Sequence, residues 1–278
     1  MSTPAQIVSE KLLAVMSQNG QLPWAQTWQL KGHVSYSTGK AYRGFNQMAT
    51  SLGAVVHKYK SRVWVSQAQL HSAGGWTRKG EHFTAVIYPI FNQETLEDGT
   101  EITHIKGIRY HNVCNTDQIA HMGDLDVAKI AKLNKEVEDT KPIHIQELIA
   151  RHNPHIEYGD PSYAPSLDTI RIPRVGEFTD DGEYAMTLCH ELAHWTGHGS
   201  RLDRDLSGQF GSGSYSYEEL IAEIAAATIC STLGITWNKE NSAAYVQSWL
   251  KKLQANPEWL YKAAQAAQKA ADYLLGDS

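Results

Sequence analysis

The stretch Cys189-His190-Glu191-Leu192-Ala193-His194-Trp195-Thr196-Gly197-His198 limits what this chain can fold into more than any other. Histidines four residues apart leave the same face of a helix one turn apart, so His190 and His194 can meet a single metal ion only if this segment is helical. Glu191, directly after the first of them, falls beside that ion, where a general base would take a proton from water. The flanks agree with a helix. Asp180, Asp181 and Glu183 put acids in a first turn, apolar residues follow at helical spacing from Ala185 to Ala193, and Gly197 supplies a stop.

A catalytic zinc takes three protein ligands and keeps a fourth position open. The extended pattern with a third histidine three residues past the glycine fails, because position 200 is Ser200, and His198 is out of register. The helical run from Tyr217 to Ala227 offers Glu219 and Glu223 one turn apart. A carboxylate among Ile221, Ile224 and Ala226 is costly to bury unless a cation meets it. Glu223, deeper in the apolar run, is therefore expected to be the third ligand, with Glu219 orienting a histidine; the plainer reading makes both of them solvated helix charges. Two histidines and a glutamate suit Zn2+, match the thermolysin-like class in ligand type, and leave Mn2+ or Co2+ open. Nucleases usually hold their metals with more carboxylates, so a nuclease is disfavoured.

The net charge of -5 hides an asymmetry: residues 1–130 carry 12 Lys plus Arg against 9 Asp plus Glu, and the remainder carries 13 against 21. Between Lys11 and Gly80 there is no acid, while Lys31, Lys40, Arg43, Lys58, Lys60, Arg62, Arg78 and Lys79 interleave with Trp24, Trp28, Tyr36, Tyr42, Phe45, Tyr59, Trp64 and Trp76. Cations for phosphates and ring faces for splayed bases are the ingredients of a single-stranded nucleic-acid surface. The competing reading places most of these tryptophans in a core. Candidate DNA contacts are Lys40, Tyr42, Arg43, Lys58, Lys60, Arg62, Trp64, Trp76, Arg78 and Lys79, with the turn from Trp76 to Gly80 the foremost phosphate site.

Helices are expected over residues 4–18, 45–56, 144–151, 241–253 and 257–275, and strands over 61–66, 82–90, 105–113, 156–158 and 169–172. Asp98-Gly99 marks a hairpin. A charged, alanine-rich segment ending at Thr140-Lys141-Pro142 reads as a linker, so two domains are expected, 1–130 and 131–278. Cys114, Cys189 and Cys230 are odd in number and far apart, which suggests reduced buried thiols. No apolar run reaches membrane-spanning length and no signal pattern opens the chain, which points to no membrane partner and a cytoplasmic location.

Tyr42-Arg43-Gly44-Phe45-Asn46, Gly75-Trp76-Thr77-Arg78-Lys79-Gly80-Glu81 and Tyr110 to Gln118 resemble the N-terminal domain of the ArdC-type antirestriction proteins. Tyr163 to Pro173, Thr187 to His198 and Arg201-Leu202-Asp203-Arg204 resemble their C-terminal domain, and the similarity runs from about Trp24 to about Gly234. The resemblance implies an α+β protein of two domains. The first would be a mixed α/β domain binding single-stranded DNA, and the second a mainly helical zincin-like metallopeptidase with a small sheet. It further implies a plasmid-borne protein that shields incoming conjugative DNA from host restriction, with a protein substrate linked to restriction. It supports His190 and His194 as ligands, Glu191 as base and the Glu219/Glu223 helix as their partner. In zincins an edge strand ahead of the metal helix pairs with extended substrate, and Thr169 to Ile172 is expected to be that edge. The alternative is a sequence-independent single-stranded-DNA-binding protein whose metal site is structural or inactive.

Overall fold

The computed structural model describes residues 3–25, 32–95, 101–135, 145–208, 212–237 and 243–276. Trp28, Lys31, the Asp98-Gly99 hairpin signal and Thr140-Lys141-Pro142 lie outside the described residues. The chain divides into two compact units. One comprises Met1–Asn19, Lys31–Val137 and Gln254–Glu258; the other comprises Gly20–Leu30, Glu138–Leu253 and Trp259–Ser278. Both mix helices and sheets, as an α+β chain of two domains should.

In the first unit, helix α1 (Pro4–Asn19) begins with a reciprocal cap, Thr3 and Gln6 each accepting the other's backbone N–H, and with proline in the first turn. There follow β1 (Val34–Ser35), α2 (Gly44–His57), β2 (Val63–Ser66), α3 (Gln67–Ser72), β3 (Trp76–Thr77), β4 (Thr84–Thr95), β5 (Glu101–Asn115), β6 (Ile119–His121) and α4 (Val127–Lys135). The main sheet runs β1-β2-β5-β4, with β1 parallel to β2 and the other pairs antiparallel, so β4 is an edge. Asn46 fastens α2 to that edge, donating from Nδ2 to the Ile87 carbonyl and accepting the Ile87 N–H, both at 2.7 Å. Val63, Val65, Leu70, Cys114, Ile130 and Leu133 form the core beneath the sheet.

The second unit carries α5 (Ile145–His152), β7 (His155–Tyr158), β8 (Ser162–Ala164), β9 (Thr169–Ile172), α6 (Asp181–Thr196), α7 (Gly213–Thr232), α8 (Ala243–Ala255) and α9 (Glu258–Leu275). Its sheet runs β7-β9-β8, with β9 parallel to β7 and antiparallel to β8. Thr169 to Ile172 is thus the central strand, contrary to the edge role expected of it, because β7 pairs along one side of it and β8 along the other. The edges are β7 and β8.

Helices α6 and α7 form the heart of this unit. Asp180 caps α6 by accepting the Glu183 N–H at 2.8 Å, and Ser212 caps α7 by accepting the Tyr215 N–H. Leu188, Cys189 and Leu192 of α6 and Leu220, Ala222, Ala225 and Cys230 of α7 are fully buried. The three cysteines are free and buried, as their spacing suggested. Among the described residues no helix is long and apolar enough to cross a membrane.

Candidate metal centre

Helix α6 delivers His190 and His194 to one face, and their Nε2 atoms lie 3.1 Å apart. Glu219, on the facing turn of α7, brings carboxylate oxygens to 3.5 Å from His190 Nε2 and 3.4 Å from His194 Nε2. One donor atom from each residue falls within 4.8 Å of the others. Donors about 2.0–2.1 Å from a tetrahedral ion stand roughly 3.3 Å from one another, so these separations are those of three corners around a divalent cation. The donor chemistry and the spacing both fit such an ion.

Glu223 does not join them. It lies one turn further along α7, buried, and its Oε1 accepts a hydrogen bond from the Tyr245 hydroxyl of α8 at 3.0 Å. Depth in the apolar run does not pick out the acid nearest the histidines: Glu219 stands at the rim of the cavity with its side chain 24% exposed, whereas the deeper Glu223 is met by a phenol from another helix.

The residue that orients a histidine is Glu218, also missed in the sequence. His194 Nδ1 lies 3.2 Å from Glu218 Oε1, which keeps a proton on Nδ1, so that loss of the other proton would leave the Nε2 lone pair facing the donor cluster. Arg204 holds Glu218 in turn, donating from Nη2 to Oε1 at 2.7 Å and from Nε to Oε2 at 3.1 Å. The same guanidinium donates to the Ala193 carbonyl and the Thr196 hydroxyl, so it fastens the end of α6 to the start of α7. Gly197 makes room for it: a Cβ there would stand 2.9 Å from Arg204 Nη2. Glu218 shows as an acid adjacent to Glu219 in a buried helix, but its cation arrives by tertiary folding.

Electrostatics follow from this packing. Burial disfavours charge on His194, yet its bonds to Glu218 and Glu219 push its pKa up to about 9. Burial raises Glu218 and Glu219 as well, but hydrogen bonds from His194 and Arg204 hold the first below the ordinary carboxylate range, and those from His190 and His194 hold the second well below it. Glu191 is different. Burial raises its pKa against the pull of the two histidines, which suits a base that must both take and return a proton. All of these groups except Arg204 line one cavity of about 490 Å3, whose wall includes Ser162 and Tyr163 of the edge strand β8 and Tyr215 of α7. His198 turns away to Ser200 once α6 has ended at Thr196.

Comparison with known proteins agrees with both halves. Residues 3–129 match the family model of the N-terminal domain of anti-restriction factor ArdC, and residues 143–266 match that of a zincin-like metallopeptidase. The metal-free crystal structure of the antirestriction ArdC protein from plasmid R388 superposes with a TM-score of 0.71 at 33% identity, covering 98% of this chain and 96% of that one. This chain belongs to the ArdC family. The Mn(II)-bound structure of the same R388 protein matches with a TM-score of 0.70, also at 33% identity, over 98% of this chain and 97% of that one. A DNA primase TraC of Escherichia coli is 34% identical over 97% of this chain, but the chain spans only 20% of the primase's length. An uncharacterized protein, y4eC, of Sinorhizobium fredii is 27% identical over 98% of this chain and 92% of its own.

In the first unit the residues expected to contact DNA separate. Trp64 is a core residue, 1% exposed, packed with Ala54, Val86 and Val113 and donating from Nε1 to His33 Nδ1 at 3.1 Å, so it has no ring face to offer a base. Trp24, which belongs to the second unit, is buried edge-on against Trp249. Trp76 is 56% exposed and lies over His121 with ring centroids 4.2 Å apart. Arg78 shares its charge with Glu81, at 2.7 Å, while Lys40, Arg43, Lys58, Lys60 and Lys79 are exposed. Tyr42 and Arg62 are half-buried, and Lys40 and Tyr42 line a groove beside β4.

Proposed function

We propose that the chain is an antirestriction protein whose N-terminal domain, residues 1–130, holds single-stranded DNA in the cytoplasm while the C-terminal domain, residues 131–278, carries a metal-dependent hydrolase site. The observation that carries the second part is the convergence of His190, His194 and Glu219 beside the buried Glu191. His190, His194 and Glu219 would hold a divalent cation; the donor set favours Zn2+, and Mn(II) in the R388 relative keeps other divalent ions in view. When bound, the ion supplies Lewis acidity toward a carbonyl and toward water. Glu218 and Arg204 keep the His194 ring in place. The Glu191 carboxylate takes a proton from water on one side of the scissile bond and returns it to the leaving amine. The edge of β8, with Ser162 on the cavity wall, offers backbone groups to an extended peptide, which favours a protein substrate, and the antirestriction role makes that substrate a protein linked to host restriction.

Exchange of Glu191 for Gln tests this reading. The variant should bind metal as the wild type does and lose hydrolysis of a mixed peptide library. If it also protects incoming DNA from restriction as well as the wild type, the hydrolase site is dispensable for protection and the single-stranded-DNA-binding activity suffices. Cleavage at the wild-type rate would remove Glu191 from the chemistry.

A further inference from the structure

A groove of about 1150 Å3 runs along the first unit between the start of α2, the loop before it, α3 and the β4–β5 face. That exceeds the roughly 300–1,000 Å3 typical of small-ligand pockets and suits a polymer segment. Among the described residues lining it none is acidic, in a chain whose net charge is -5, and Lys40 alone carries a fixed charge. The rest is amide, hydroxyl, aromatic and imidazole rings, and aliphatic side chains such as Val86 and Ile87. Phe91, 59% exposed, and Tyr88, 37% exposed, stand on the β4 wall, and His111 of β5 lies with its ring centroid 5.1 Å from that of Tyr88. Beside Phe91 the ladder slips by one residue, Ile90 pairing with Gly107 and Phe91 with Ile105, so that Lys106 is extra; such bulges re-aim neighbouring side chains.

The walls are stiff. Asn46 clamps α2 to Ile87, and Ser66 and Gln69 cap α3 reciprocally. A large exposed ring on an edge strand is a hazard unless it has a partner, and a rigid, acid-free groove with solvent-facing rings matches the flat faces of unpaired bases rather than phosphates. We infer that this groove is where unpaired bases of the DNA strand stack, on Phe91 and the Tyr88–His111 pair, while the exposed lysines outside it follow the phosphates. The inference rests on the single-stranded-DNA reading above and assigns it residues that the basic pattern of the sequence does not reveal.

The test is fluorescence anisotropy of the full chain with a labelled oligothymidylate and with an abasic oligomer of equal length, each at several salt concentrations. Phe91→Ala and Tyr88→Ala should each weaken oligothymidylate binding roughly tenfold, leave the salt slope unchanged because no phosphate contact is lost, and leave the abasic probe unaffected. Phe91→Trp should keep wild-type affinity, which separates a lost stacking face from a disturbed fold. Equal weakening of both probes, or a shallower salt slope, would overturn the groove as a base site. So would variants that bind oligothymidylate like the wild type, the result expected if the β4 edge takes a peptide strand instead. If the wild type binds neither probe, the DNA reading falls with the groove; if it binds and the variants match it, only the groove falls.

Discussion

Glu218→Gln is the most informative single change at the candidate metal centre. The carboxylate faces two donors at once, His194 Nδ1–H at 3.2 Å and the Arg204 guanidinium at 2.7 and 3.1 Å. Oε1 takes both His194 and Arg204 Nη2, while Oε2 takes Arg204 Nε, and an amide can put an acceptor at only one of these two positions. With its oxygen in the Oε2 place, its NH2 group faces Nδ1 and selects the tautomer that carries its proton on Nε2, which cannot bind metal. With its oxygen in the Oε1 place, the NH2 group faces the Nε–H of Arg204 and a charge-assisted bond worth roughly 1.5–3 kcal/mol is lost. The cheaper of these costs sets the penalty, and loss of such a supporting carboxylate typically lowers metal affinity about 10–100-fold, or about 1.4–2.7 kcal/mol. Titration calorimetry of chelator-treated protein with Zn2+ or Mn2+ measures it, and a thermal melt without metal separates the effect on folding. Metal affinity equal to wild type would refute the Arg204–Glu218–His194 chain as a support for the site.

Gly197→Ala should destabilise the chain by about 1–3 kcal/mol in a denaturant melt, since the new Cβ would overpack against Arg204 and Leu206 at 2.9 Å. Burial pushes the pKa of His33 down to about 4 from its usual 6.5. The unfolded chain therefore binds the extra proton first, and the neutral ring's contribution, complete above pH 6.5, is lost as pH falls toward 4, by about 2 kcal/mol after allowing for partial exposure; a His33→Gln variant should show a smaller drop in melting temperature between pH 7 and pH 4. Trp64→Phe should lower stability through its buried bond to His33 without changing the salt slope of DNA binding, whereas Trp76→Ala should weaken oligothymidylate binding and leave the melt nearly unchanged.

The part of this site that lies within one helix was legible in the sequence. Helical periodicity put His190 and His194 on one face, the motif put Glu191 directly after the first of them, and Gly197 marked the end of α6 correctly. Whatever depended on a second element was harder. Glu219 and Glu223 share a face of α7, and which of them meets the histidines depends on how α7 lies along α6: Glu219 falls opposite them, and Glu223, one turn on, bonds to Tyr245 of α8. Glu218 gains its meaning from Arg204, and β9 becomes a central strand only because β7 pairs with it in parallel. Strands as short as β1, β3, β6 and β8 carry no alternation to read. The long elements α1, α2, β4, β5 and α9 announced themselves. For the tryptophans, composition gave an aromatic, acid-poor stretch but could not tell Trp64, inside the sheet, from Trp76, outside it.

Metal analysis of Glu219→Gln and Glu223→Gln beside the wild type asks whether two histidines of α6 and Glu219 of α7 share one divalent ion. Glu219→Gln should lose the ion while Glu223→Gln keeps a wild-type content; retention by the first together with loss by the second would put the third ligand at Glu223 instead.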